Sequence, residues 1–173
     1  GNLEPILRSY PSLCRWTDFL WSESMRDNLI TKDKYGDWCV PPEKLNLVHS
    51  QDPARKTDGV LIASAYYVGQ LQLMAKFARL LGKKAEADKW EERREWVVEA
   101  FNQKFLMVKK GTSPRPDHIL YPDSIYYDNN TVTANLLPLA FGIVPLEYED
   151  AVFRHVLARL MPAPNCIPAI SCG

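Results

Sequence analysis

The sequence has no excess of either charge. Lys plus Arg and Asp plus Glu each total 21, so the formal net charge is zero. Without a basic surplus to neutralise phosphates, nucleic acid is not expected as a partner. Long hydrophobic runs are missing as well: nothing approaches the ~18 consecutive apolar residues of a membrane span. The start at Gly1-Asn2-Leu3 carries neither a basic nor an apolar leader segment. The chain as written is therefore expected to be soluble, with any targeting signal removed or never included. No compartment is assigned, since cytoplasm, bacterial periplasm and secretion all fit.

Cysteine is scarce. Cys14, Cys39, Cys166 and Cys172 are scattered, with no Cys-x-x-Cys pair and no histidine at ligand spacing, so a zinc site is not expected. An even count permits disulfides, but a chain of this apolar content does not need them, and the thiols are expected to be mostly buried and free. No metal-ligand cluster and no cofactor motif stand out, so neither metal nor cofactor is expected; an isolated calcium in a loop would leave little trace. None of His49, His118 and His155 is paired with a cysteine or acid at catalytic spacing, and no role is assigned to them.

What is present is ordinary globular composition: 173 residues, 46% hydrophobic and 11% aromatic. A chain of this size buries roughly 70% of its unfolded surface, which excludes a disordered tail or a fibrous repeat. Hydrophobic periodicity predicts helices. Tyr10-Pro11 is expected to open the first, with Pro at the first helical position, followed by Leu13, Trp16, Phe19 and Leu20 as far as about Arg26. An irregular stretch from Thr31 to about Thr57 contains Tyr35-Gly36-Asp37-Trp38 and reads as an ordered loop.

Asp58-Gly59 precedes a long apolar helix that should be buried and should stop at Gly82. Lys83 begins a helix whose charged side faces water, so the two form an antiparallel hairpin. Val108 to Asn129 reads as a long excursion with a short β-ribbon. Thr131 caps a helix from Val132 to Phe141 that ends at Gly142, and Glu147 or Tyr148 starts the last amphipathic helix. Two architectures fit alternating buried and solvated helices: an α-solenoid, or part of a toroid whose inner helices line a hole. The two long, chemically different connections favour the toroid.

The order of the motifs carries more than their content. Tyr35-Gly36-Asp37-Trp38, then Asp58-Gly59 with a Tyr66-Tyr67 helix, then Asn130-Thr131-Val132-Thr133-Ala134-Asn135-Leu136-Leu137-Pro138-Leu139-Ala140-Phe141-Gly142-Ile143-Val144-Pro145 resembles bacterial α-L-rhamnosidases of glycoside hydrolase family 78. The match runs in order across nearly the whole chain. The resemblance implies an all-α fold, part of an (α/α)6 toroid, and inverting, exo-acting hydrolysis of terminal α-L-rhamnose. Inversion needs an acid and a base about 6.5–9.5 Å apart. In the family the acid motif lies upstream of the Gly-Asp-Trp element, and none precedes Tyr35 here; the base comes from a Trp-Glu motif downstream of the segment matched by Pro145, and no Trp-Glu dipeptide follows that point. The resemblance therefore implies a single partial domain over residues 1–173, the central part of a larger catalytic barrel and inert by itself.

Asp37 and Trp38 are the expected sugar-binding residues, because a Trp ring suits the apolar face of a sugar and a neighbouring carboxylate accepts from vicinal hydroxyls. Turn capping and loop packing would also explain them. Tyr35 reads as packing or a sugar contact. Asp58 reads first as a helix N-cap, and Asp128 and Asp123 as turn or substrate-loop carboxylates. Asn130, Thr131 and Thr133 begin a helix, where capping competes with contact to sugar oxygens. The rival functions are another α/α-toroid glycosidase, such as an unsaturated glucuronyl hydrolase, or a non-enzymatic helical-repeat binding module. A cut toroid would expose inner-helix surface, so self-association is expected.

Overall fold

The apolar run after Asp58 folds as the central helix. The computed structural model describes residues 2–32, 37, 52, 55–109 and 124–160. Within it α1 (Glu4–Glu23) leads to a small ribbon, β1 (Met25–Arg26) and β2 (Leu29–Ile30). The long helices α2 (Gly59–Leu80) and α3 (Lys84–Phe105) follow. A second ribbon, β3 (Leu106–Lys109) with β4 (Ser124–Tyr127), precedes α4 (Val132–Ala140) and α5 (Glu149–Leu160), the last two joined through a 3-10 turn at Leu146–Tyr148. Both ribbons are antiparallel, with Met25 opposite Ile30 and Leu106 opposite Tyr127.

The helix hairpins follow from local chemistry. Asp58 caps α2 by accepting from the Val60 N–H, and Leu61, Ala65, Val68, Leu71 and Ala78 are wholly buried along it. Gly82 ends it at φ +71°, where the Lys83 N–H donates to the Ala78 carbonyl at 2.8 Å and the Gly82 N–H to Arg79 at 3.0 Å. That left-handed position favours glycine and satisfies carbonyls the helix end would otherwise orphan. Gly142 closes α4 in the same way at φ +57°, with the Ile143 N–H on the Pro138 carbonyl. On α3 the buried stripe is Ala87, Trp90, Val97, Phe101 and Phe105, while most of its charged residues face outward.

The first helix departs from expectation. It starts seven residues before Pro11, because Pro5 already occupies the first turn, where a missing N–H costs nothing. Pro11 lies inside the helix on an exposed position, and the Leu7 carbonyl that it leaves without a helix donor belongs to an exposed residue open to water. The helix also stops at Glu23, short of Arg26. Asp27 and Asn28 adopt left-handed backbone at φ 49° and 58°, making the two-residue turn of the β1–β2 ribbon. Nor does the expected stripe of α1 bury completely: Trp16 and Phe19 stack on each other at 5.7 Å and stay about half exposed. Tyr10 and Thr17 are the residues of α1 that are buried.

Polar contacts fix α1 against the hairpin. Tyr67 donates through its hydroxyl to the Thr17 carbonyl at 3.0 Å, Gln70 donates to the Thr17 hydroxyl at 2.7 Å, and Trp90 Nε1 donates to the Tyr10 hydroxyl at 3.0 Å. Burial pushes the Tyr67 phenol up to about 12 and the Tyr10 phenol higher still. Asp18 bridges to Lys89 at 3.0 Å and to Arg93 at 2.6 Å. Burial alone would raise its carboxyl, but those two donors hold it below the usual carboxylate range. The β1–β2 ribbon is tied down by the Ile30 N–H, which donates to the Ser64 hydroxyl of α2 at 3.0 Å. Cys14 is a half-buried free thiol; the other three cysteines lie outside the described residues. Among the described residues no helix is long and apolar enough to cross a membrane, and no group of three or more His, Cys, Asp or Glu gathers to hold a metal.

Candidate functional site

The start of α4 gathers a connected set of polar groups. Thr131 is its N-cap, accepting from the Ala134 N–H at 3.1 Å. Just before it, Asp128 and Asn130 have left-handed backbone, φ 48° and 60°, a conformation that Asn and Asp tolerate best among side-chain-bearing residues. The turn keeps this shape because Asn135 sits beneath it. Asn135 is 1% exposed, accepts from the Tyr127 N–H at 2.9 Å, and donates to Asn130 Oδ1 at 2.8 Å and the Thr131 carbonyl at 2.9 Å.

From this turn the bonds reach the segment before α2. Thr57, 4% exposed, shares a 2.5 Å hydroxyl–hydroxyl bond with Thr131. Asn129 Nδ2 donates to the Lys56 carbonyl at 2.6 Å. The Thr57 N–H in turn donates to Asp37 Oδ2 at 3.0 Å. One carboxylate oxygen of the half-buried Asp37 is thereby anchored through its partner to the first turn of α4.

The opposite flank is aromatic. Asn130 presents its amide nitrogen to His155 Nδ1 of α5 at 3.3 Å, and the His155 ring meets the Tyr126 ring edge-on at 5.5 Å. Behind them Tyr127 donates to Asn102 Oδ1 at 2.5 Å, and burial drives its phenol well above the ordinary range. Asn102 Nδ2 donates onward to the Ile143 carbonyl at 2.9 Å, so both ends of α4 are tied into the same frame.

The predicted site residues distribute as follows. Asp37, Asn130 and Thr131 join one hydrogen-bonded cluster, and Asp128 forms part of its turn, its N–H donating to the Phe105 carbonyl at 2.8 Å. Asp58 is exposed and caps α2 through a 2.7 Å bond from the Val60 N–H. Thr133 is half-buried on the first turn of α4. Tyr35, Gly36, Trp38 and Asp123 lie outside the described residues. Thr57, Asn129, Asn135 and His155 belong to the cluster without having been singled out. Only Asn135 carried a local signal, as an amide in the apolar run Ala134 to Pro138. A separate cleft of about 320 Å³ between α2 and α3 is lined by Gln72, Lys76, Arg79, Glu91, Arg94 and Glu95. It sits by the other end of α4, where Gln72 and Arg94 donate to the Phe141 and Gly142 carbonyls.

Comparison with known proteins adds identity to this geometry. Residues 1–166 match the family model of the bacterial alpha-L-rhamnosidase 6 hairpin glycosidase domain. An alpha-L-rhamnosidase of Formosa agariphila is 29% identical over 143 residues, 83% of this chain and 13% of that protein. One from Alteromonas sp. (strain LOR) is 28% identical over 168 residues, 94% of this chain and 16% of that protein. The solved structure of alpha-L-rhamnosidase from Dictyoglumus thermophilum superposes with a TM-score of 0.70 at 26% identity, covering 91% of this chain and 16% of that one. This chain thus spans 16% or less of the length of these relatives. The likeness makes the helix hairpins part of an all-α toroid, as the connections between them predicted.

Proposed function

This chain belongs to the bacterial α-L-rhamnosidase six-hairpin glycosidase family, and on that premise we propose that it is the central part of a glycosidase's catalytic toroid, with Asp37 and Trp38 binding a terminal α-L-rhamnose. The observation that carries this reading is the seat of Asp37. Its carboxylate is held by the Thr57 N–H beside the N-terminus of α4, where the residues just before α2 meet the turn before α4. A half-buried carboxylate with one oxygen anchored keeps the other for a ligand's hydroxyl groups. Trp38, adjacent in sequence, supplies the apolar platform for the C–H face of the ring. Asn130 and Thr131 use their polar atoms inside the protein, which favours a framing role for both.

In this reading the chemistry is completed outside the chain. A general acid protonates the glycosidic oxygen as its bond to the anomeric carbon breaks. A general base about 6.5–9.5 Å away takes a proton from the water that attacks the opposite face, inverting the configuration. The residues of this chain bind and orient the terminal rhamnosyl ring whose anomeric carbon the water attacks.

The test is kinetic. In the full-length gene product, Asp37→Ala and Trp38→Ala should each lower kcat/KM for a chromogenic α-L-rhamnoside about 100-fold, because a misplaced sugar ring misaligns the reacting bond. Unchanged kcat/KM in both folded variants would overturn the site assignment.

A further inference from the structure

We propose that Thr57 and Thr131 are positioning residues for Asp37, so that the first turn of α4 helps set where its carboxylate sits. The inference rests on the reading of Asp37 as a sugar ligand. Its geometry stands apart from that reading. Thr57 is 4% exposed, so water is nearly excluded and its N–H and hydroxyl need partners within the protein. The N–H has Asp37 Oδ2 at 3.0 Å, and the hydroxyl has Thr131 Oγ1 at 2.5 Å.

Thr131 is itself fixed twice over. Its hydroxyl oxygen accepts from the Ala134 N–H at 3.1 Å and its carbonyl accepts from Asn135 Nδ2 at 2.9 Å. A second tie, from Asn129 Nδ2 to the Lys56 carbonyl at 2.6 Å, holds the residue before Thr57 to the same turn. The left-handed backbone at Asp128 and Asn130, which these residue types tolerate, is held in place by Asn135 beneath the turn. Segments more than 70 residues apart in sequence therefore meet through a pair of hydroxyls and an amide-to-carbonyl bond, and Thr57 passes that position to Asp37 through its backbone.

The test uses the full-length protein with Thr57→Val, which keeps the side-chain shape and the backbone N–H but removes the hydroxyl, and Thr57→Ser, which restores it. The N-cap bond between Thr131 and Ala134 is left intact in both. Two readouts are taken: hydrogen–deuterium exchange at the residue-57 amide, and steady-state kinetics on a chromogenic α-L-rhamnoside. In Thr57→Val the residue-57 amide should exchange about tenfold faster after correction for intrinsic rate, and kcat should fall about tenfold with KM within about twofold. Thr57→Ser should recover both. Thr57→Ala, which also keeps the N–H and the Thr131 cap, serves as the second variant should Thr57→Val not fold, with the same expected exchange and kinetics. Wild-type exchange at residue 57 in the variants that lack the hydroxyl, or a lowered melting temperature with unaltered kinetics, would overturn the positioning role. A wild-type protein that does not cleave the rhamnoside would overturn the sugar reading alone, and the exchange result would still decide how Asp37 is held.

Discussion

Replacing Asn135 by leucine removes the polar centre of the α4 turn while keeping the branched outline and heavy-atom count of the side chain. Three hydrogen bonds of 2.8–2.9 Å disappear, each contributing about 0.5–1.5 kcal/mol net. One of them costs more than the mean. Tyr127 is 0% exposed, so its N–H would remain buried without a partner, at about 1–3 kcal/mol. Burying the leucine side chain returns about 1.5 kcal/mol at most, given that the site is shaped for an amide. The expected net loss is about 3 kcal/mol. With a urea m-value of about 2 kcal/mol/M for a domain of this size, the midpoint should fall by about 1.5 M at unchanged m. Equilibrium urea unfolding followed by tryptophan fluorescence reads this directly. A midpoint shift below about 0.3 M would refute the claim that Asn135 holds the turn.

Two other perturbations test the packing around it. A Cβ at Gly69 would stand 2.6 Å from Cδ1 and Cε1 of Phe141, so Gly69→Ala should destabilise by about 1–2 kcal/mol despite its gain in helix propensity. Adding Phe141→Leu should recover part of that loss in the same unfolding assay. Asp18→Asn should lose about 0.5–1 kcal/mol at neutral pH, reduced by salt because the pair is partly exposed. The Asp18 carboxyl is depressed in the folded state, so its stabilisation is full above the unfolded carboxylate pKa and is lost as pH falls through the folded value. Thermal melts of the two proteins should converge in that acid range and separate above it.

The helix hairpins were legible because their signals are local. Asp58 and Thr131 as caps, Gly82 and Gly142 as stops, and the charged face of α3 all act within a turn or two of themselves. The first helix was misplaced because two prolines competed for one role, and Pro5 filled it. The β1–β2 ribbon was missed because Asp27-Asn28 lacks the glycine that usually marks such a turn, although both residues accept left-handed backbone. The candidate site was half legible. Asp37, Asn130 and Thr131 could be named from motif order, but Thr57 could not, since its importance lies in a hydroxyl contact with a residue 74 positions away. His155 went without a role for the same reason: its meeting with Asn130 and Tyr126 exists only after α5 packs beside the turn.

The most direct measurement is hydrolysis of a chromogenic α-L-rhamnoside by the full-length gene product and by the 173-residue chain side by side. Cleavage by the full-length protein, with release of the inverted sugar and no activity in the isolated chain, is the predicted result. An inactive full-length protein would contradict the rhamnosidase reading, and cleavage by the chain alone would contradict the placement of its acid and base outside these residues.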